Sequence, residues 1–167
     1  NKTFGLAEGM PVHIDSIFAG KGTGLRAEAQ ANGYVYADEA PYEVIATGHM
    51  TAEELLKIRG LARTVGSCVG DGGFKKTFPR MLNDTGLKPY DLFSRLSAYI
   101  SRNGLAEKTS KKEHLARILF AFAGDLYDDL ADPVRLDILK DVIYADLSCL
   151  ISEEAMRKFD KKGWEIK

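Results

Sequence analysis

The stretch TAEELLKIRGLARTV, residues 51–65, decides the fold class. Thr51 and Glu54 form a capping box, in which the hydroxyl accepts from the N–H three residues on while the carboxylate reaches back to the Thr51 N–H. Behind it Leu55, Leu56, Ile58, Leu61, Ala62 and Val65 recur at three-to-four spacing, so an amphipathic helix is predicted to run to about Val65. The chain downstream keeps this character.

After a break at GSCVGDGG (residues 66–73), FKKTFPRML puts Phe74, Phe78, Met81 and Leu82 on one helical face, with Pro79 requiring a kink or a late start. NDTGLKP reads as a loop. YDLFSRLSAYI then aligns Leu92, Phe93, Leu96, Tyr99 and Ile100 and stops at Asn103-Gly104. A second capping box, SKKE from Ser110 to Glu113, opens the most apolar helix, with Leu115, Ile118, Leu119, Phe122 and Ala123. Asp132 and Pro133 read as N-cap and first helical residue of a helix carrying Leu136, Leu139, Val142, Ile143, Leu147 and Leu150. The charged tail SEEAMRKFDKKGWEIK, residues 152–167, is expected to be only partly ordered, with Trp164 as an optional anchor.

Upstream the pattern changes. PVHIDSIFA (residues 11–19) alternates in part, as a short strand does, and FAGKGTGLRA leads from it into a helix of about eight residues that Asn32-Gly33 ends. YVYADE is a second extended piece, and APYEVIATGHM is extended or irregular, with Pro41 disfavouring helix at Ala40. The expected fold is therefore mainly α: a bundle-like helical domain over residues 49–167, preceded by a strand-loop-helix-strand segment over residues 1–48.

Composition narrows the function classes. Of 167 residues, 45% are hydrophobic and 28% charged, with a formal net charge of -1. No global basic field exists to hold nucleic acid. No apolar run approaches the roughly 20 residues of a membrane helix. Cys68 and Cys149 are far apart, without zinc or iron–sulfur spacing, and are expected to be buried thiols in a reducing cytoplasm. The opening NKTFGLAEGM carries no targeting pattern and reads as a fragment of something longer.

The glycine loop admits three readings. A P-loop fails, since Asp15 stands where its first Gly belongs and Gly22 follows Gly20-Lys21. GTGLRA satisfies a dinucleotide fingerprint through Gly22, Gly24 and Ala27, with Asp38 and Glu39 beyond it, but no further strand-helix alternation follows. The plain reading is a strand-to-helix turn whose glycines permit positive φ.

Taken together, GKGTGLRAEAQANGYVYADEAPYEVIATGHMTAEELLKIRGL resembles the segment where the radical SAM barrel ends in cobalamin-binding radical SAM enzymes with a helical C-terminal domain of unknown function. GGFKKTFPRML is similar to that family's NSGxFxxTLxxL element, and PYDLFSRLSAYI to its PFDFFEALAxYW element. The resemblance covers about Ile17 to Ile100. Gly20-Lys21-Gly22-Thr23 departs from the family's LPGT, and both the three-cysteine cluster motif and the Asp-x-His-x-x-Gly cobalamin signature are absent.

The resemblance implies the non-catalytic C-terminal part of a radical SAM oxidoreductase or methyltransferase, of the kind labelled magnesium-protoporphyrin IX monomethyl ester oxidative cyclase. This part would hold no cofactor and would not be active alone. The 4Fe-4S cluster, S-adenosylmethionine and cobalamin would belong to upstream domains of the same chain, its expected partners. His13 and Asp15, which share a strand face, together with Thr23, are the expected pocket-lining positions of the full-length protein. An orphaned strand over Pro11 to Ala19 would expose an edge through which a homodimer could form. A self-standing helical interaction module without catalytic activity is the second reading, and a dinucleotide-binding fragment the third.

Other residues read more plainly. His13, His49 and His114 share no ligand spacing, and GDLYDDLAD lacks the Gly turn and terminal Glu of a calcium loop. Tyr34, Tyr36 and Tyr42 could stack on a cofactor ring, although such tyrosines more often pack a strand against a helix.

Overall fold

The computed structural model describes residues 18–29, 31–70, 73–128 and 133–166. They form two compact units, 18–63 and 64–166, and the division falls inside one helix. The architecture is mainly α, with one small antiparallel sheet.

The first unit contains α1 (Gly24–Ala29), β1 (Val35–Tyr36), β2 (Val44–Ala46) and the beginning of α2 (Ala52–Val69). Asn32-Gly33 turns the chain after α1, and the Tyr34 N–H donates back to the Ala29 carbonyl at 2.8 Å. β1 and β2 pair with Val35 opposite Ala46 and Tyr36 opposite Val44, the register slipping between them. Phe18 bridges antiparallel to Glu43, and the Ala19 N–H donates to Tyr42 at 3.0 Å. The capping box forms as its spacing predicts: the Thr51 N–H donates to Glu54 Oε2 at 2.8 Å and the Glu54 N–H to Thr51 Oγ1 at 3.2 Å. Arg59 ties α2 to β2 through the Val44 carbonyl and the Glu43 carboxylate.

This unit buries little. Its buried apolar side chains among the described residues are Ala19, Ala29 and Val44, all small. Phe18 is 50% exposed, Val35 51% and Leu56 63%, and Leu25, Ile45 and Ile58 are also open. The stripe on α2 is therefore not buried along its whole length, because no described element of the unit lays an apolar layer over Leu56 and Ile58.

The second unit closes a real core. α2 continues beyond Val65 to Val69 because Thr64 and Cys68 are buried, so the chain breaks only after them. At the break the Phe74 N–H donates to the Cys68 carbonyl at 3.0 Å, and a Cβ on Gly73 would overlap that carbonyl. α3 (Thr77–Thr85) starts late, placing Pro79 in its first turn, where no intrahelical N–H bond is lost. α4 (Pro89–Arg102), a 3-10 turn (Ala106–Ser110), α5 (Lys112–Asp128), α6 (Pro133–Leu150) and α7 (Glu153–Lys162) follow. Phe74, Phe93, Met81, Leu92, Leu96, Leu115, Ile118, Leu119, Leu139, Ile143 and Leu147 are almost wholly buried. Burial of one such side chain stabilises by roughly 1.5–3 kcal/mol. Phe78 packs on Phe93 with ring centroids 4.7 Å apart.

Three expectations are corrected. Ser110 closes the 3-10 turn, its hydroxyl donating to the Glu107 carbonyl at 3.1 Å, and α5 starts at Lys112 rather than directly behind Ser110. The tail is ordered as α7: the Ser152 hydroxyl accepts from the Ala155 N–H at 3.3 Å, and Met156 and Phe159 are buried. Its charges are the solvent face of an amphipathic helix, and Trp164 anchors it, 5.0 Å from Phe120 and 5.1 Å from Phe159. Cys149 is exposed while Cys68 is buried, since Leu147 and Ile143 take the core face of α6 instead. The strand expected over residues 11–19 and the N-cap at Asp132 lie outside the described residues, Phe18 and Ala19 excepted.

Candidate functional site

The site anticipated from the sequence is the glycine turn. Gly22 has φ +83°, which favours glycine, and reverses the chain ahead of α1. Thr23 caps that helix: its hydroxyl donates to the Gly20 carbonyl at 2.8 Å and accepts from the Arg26 N–H at 3.4 Å. Thr23 is exposed, and its hydroxyl is occupied by the turn's own backbone. His13 and Asp15, named with it as pocket-lining residues, lie outside the described residues.

Beside the turn the structure gathers cations and aromatic rings that sequence spacing did not join. The Arg26 guanidinium lies 4.8 Å from the Tyr36 ring centroid and 5.1 Å from that of Tyr42, and Nη1 donates to the Ala19 carbonyl at 3.2 Å. Lys21 Nζ sits 5.3 Å over Tyr42, whose φ is +57°. Two of the three tyrosines considered as ring-stacking residues therefore stack on cations. Arg26 was missed because its partners follow it by ten and sixteen residues, across a turn and a hairpin.

This cluster orients positive charge and aromatic faces, but it holds no nucleophile beside a base. β1 and the Phe18 bridge are both antiparallel, whereas a dinucleotide fold needs a parallel crossover. A six-residue α1 offers little helix dipole for a pyrophosphate. Among the described residues, no group of three or more His, Cys, Asp or Glu side chains is placed to hold a metal. None of their helices is long and apolar enough to cross a membrane.

In the helical unit the buried polar groups hold the bundle. Asp146 Oδ2, on α6, accepts from the Lys76 N–H at 2.9 Å, the Thr77 N–H at 2.8 Å and the Thr77 hydroxyl at 2.8 Å, capping α3 from a distant helix. Asp84 accepts from Arg80 Nε at 2.6 Å and the Tyr127 hydroxyl at 3.0 Å. Burial, then the Asp84 carboxylate, raises the Tyr127 phenol above its ordinary range. Burial likewise pushes the Cys68 thiol up to about 12, against a smaller opposing pull from Lys112. A thiol so placed is structural.

A family model, described as a protein of unknown function (DUF4080), matches residues 30–166. The chain belongs to that family. The DUF4080 match takes in the hairpin, the capped α2 and the helical unit, and begins after the glycine turn, so His13, Asp15 and Thr23 all precede it. Comparison with curated proteins and with solved structures gave no match.

Proposed function

We propose that this chain is the C-terminal, non-catalytic part of a cobalamin-dependent radical SAM enzyme, where it closes the barrel and shapes access of the substrate. The cluster that cleaves S-adenosylmethionine and the cobalamin would be held upstream in the same polypeptide. The reaction class is radical oxidation or methyl transfer, with oxidative cyclisation of a porphyrin-type ester as the finer reading. The observation that carries this is the imbalance of the first unit. Among its described residues it exposes Phe18, Val35, Leu56 and Ile58 while burying only Ala19, Ala29 and Val44 as apolar side chains, as the end of a larger domain would once that domain is taken away. The family match over residues 30–166 is compatible with a C-terminal domain.

The test is the complete open reading frame. Protein expressed from it and reconstituted anaerobically with iron and sulfide is expected to bind a cluster and to convert S-adenosylmethionine to 5′-deoxyadenosine, while residues 1–167 alone do neither. A start codon directly before Asn1, or a full-length protein without a three-cysteine motif, would sink the proposal. The second reading, a self-standing helical interaction module, draws on the closed core of residues 64–166 and is the one that such a result would leave standing.

A further inference from the structure

The C-terminal helix α7 is lightly held. Of its ten residues only Met156 and Phe159 are buried, whereas α5 buries nine side chains. Glu153 pairs with Arg157 at 3.3 Å and Glu154 with Lys158 at 2.7 Å, so these charges close along the helix itself rather than on a neighbour. What fastens α7 lies at its far end. The Gly163 carbonyl accepts from Arg117 Nε at 2.8 Å, the Arg117 guanidinium lies 4.4 Å from the Phe159 ring centroid, and the Trp164 ring meets Phe120 at 5.0 Å and Phe159 at 5.1 Å. Lys140, on α6, stands 5.3 Å over Phe120 and 5.8 Å over Trp164, and the exposed Tyr144 hydroxyl donates to Asp160 at 3.3 Å.

This fastening has a cost of its own. Arg117 is 5% exposed, and its Nη2 is buried without a hydrogen-bond partner among the described residues. A charged donor desolvated in this way is unfavourable for as long as α7 stays docked, and water restores its hydrogen bonds once the guanidinium is uncovered. Because that guanidinium lies against Phe159 and Gly163, lifting α7 uncovers it. Packing at the seam is also incomplete. Beside Arg117 a hollow of about 150 Å³ remains, lined among the described residues by Lys108, His114, Lys162, Glu165 and Ile166, where a close-packed interior would have gained dispersion contacts. Few buried side chains, a self-contained polar face and a fastening that desolvates a charge together describe a segment that opens below the free energy of global unfolding.

We propose that α7 and residues 163–166 form a lid that lifts from α5 and α6 as one piece while the rest of the helical unit stays folded, presenting the Arg117 guanidinium and the Phe120 ring to solvent. One latch, made by Arg117, Gly163 and Trp164, separates the two states. The closed state keeps Met156, Phe159 and Trp164 against the bundle, and the open state gains the hydration of Arg117 and the chain freedom of the lid. The device is independent of the radical SAM reading, since every residue in it belongs to the helical unit.

Native-state hydrogen exchange on the full chain, under conditions where exchange reports the opening equilibrium, separates the lid from the bundle. The amides of Met156 and Phe159 should share one opening constant, at least about 100-fold larger than that of the Leu96, Leu119 and Leu139 amides, and with a weaker dependence on urea, because a local opening exposes less surface. Gly73→Ala strains the bundle outside the lid, so it should raise the opening of the bundle amides at least about 5-fold and leave the lid amides unchanged. If that variant does not fold, Asp146→Asn, a milder change in the same core, takes its place. Trp164→Ala should speed the Met156 amide, at the other end of the lid, at least about 10-fold, because one latch holds the whole segment. Lid and bundle amides with one opening constant and one urea dependence, or a core substitution that shifts both equally, would overturn the proposal. So would exchange graded from Met156 down to the last turn and a Met156 amide indifferent to Trp164→Ala, which is fraying of the helix end alone.

Discussion

Replacing Asp146 with Ala tests whether α3 is held by a cap supplied from α6. The carboxylate is 6% exposed and Thr77 is fully buried, so the two backbone N–H groups and one hydroxyl that converge on Oδ2 have no solvent to fall back on. Each hydrogen bond to a charged acceptor is worth roughly 1.5–3 kcal/mol, but the three share one oxygen and the carboxylate itself pays for burial, so they do not add. What the substitution leaves is two neutral N–H groups and a hydroxyl without an acceptor, at about 1–3 kcal/mol each, so with the carboxylate's desolvation cost recovered the net loss is about 3–5 kcal/mol. Against a total stability of about 5–15 kcal/mol, Asp146→Ala should leave a marginal protein. For a unit on the order of 100 residues this lowers Tm by at least about 12 °C. Asp146→Asn keeps an oxygen in place and loses only the charge, so it should cost about 1–2 kcal/mol. Urea unfolding followed by circular dichroism gives both values, and native-state hydrogen exchange should show the Thr77 amide protected in the wild type and open in Asp146→Ala. If both variants unfold within about 1 kcal/mol of the wild type at unchanged m-value, the carboxylate is not the cap and the reasoning fails.

Gly73→Ala should destabilise by roughly 1–3 kcal/mol or more, because the new Cβ meets the Cys68 carbonyl, a backbone atom that cannot swing away; thermal unfolding equal to the wild type would contradict that geometry. A thiol reagent at mildly alkaline pH should label Cys149 alone in the native protein and both cysteines after denaturation, given the burial of Cys68 and its pKa of about 12; native labelling in Cys149→Ser would refute it. Hydrogen bonds from the Thr51 N–H and hydroxyl hold the Glu54 carboxyl below its usual 4.5. Its folded pKa is thus depressed, so its contribution is present above that value and lost as pH falls through the folded one. Stability measured between about pH 6 and pH 3 should fall less steeply in Thr51→Ala than in the wild type.

What could be read from the sequence was local. The Thr51–Glu54 box, the late start forced by Pro79 and the opening of α6 at Pro133 each depend on residues within one or two turns of one another, and each element is where its spacing predicts. The misreadings were of two kinds. At α7 composition hid periodicity: EEAMRKFDKK is mostly charge, and only the Ser152 cap with Met156 and Phe159 three apart signalled a helix. At Asp146, Arg117 and Arg26 the relevant partner is remote. Asp146 meets Thr77 across 69 residues and Arg117 meets Gly163 across 46, and nothing in LARILF or YADLSC marks either charge as interior.

The same distinction explains why the glycine turn drew attention and then yielded a cap. Gly20 to Thr23 is rich in residues that suit both a phosphate and a tight turn, and local spacing cannot separate the two. The structure separates them by how the groups are used: the Thr23 hydroxyl closes on Gly20 and receives Arg26, and the neighbouring cations lie on Tyr36 and Tyr42. Arg117 is the opposite case. Its sequence context is a bland apolar helix, yet its guanidinium is buried and Nη2 has no hydrogen-bond partner. A group whose hydrogen bonds are all made within the chain has little left to offer a ligand. On that criterion the glycine turn serves the backbone.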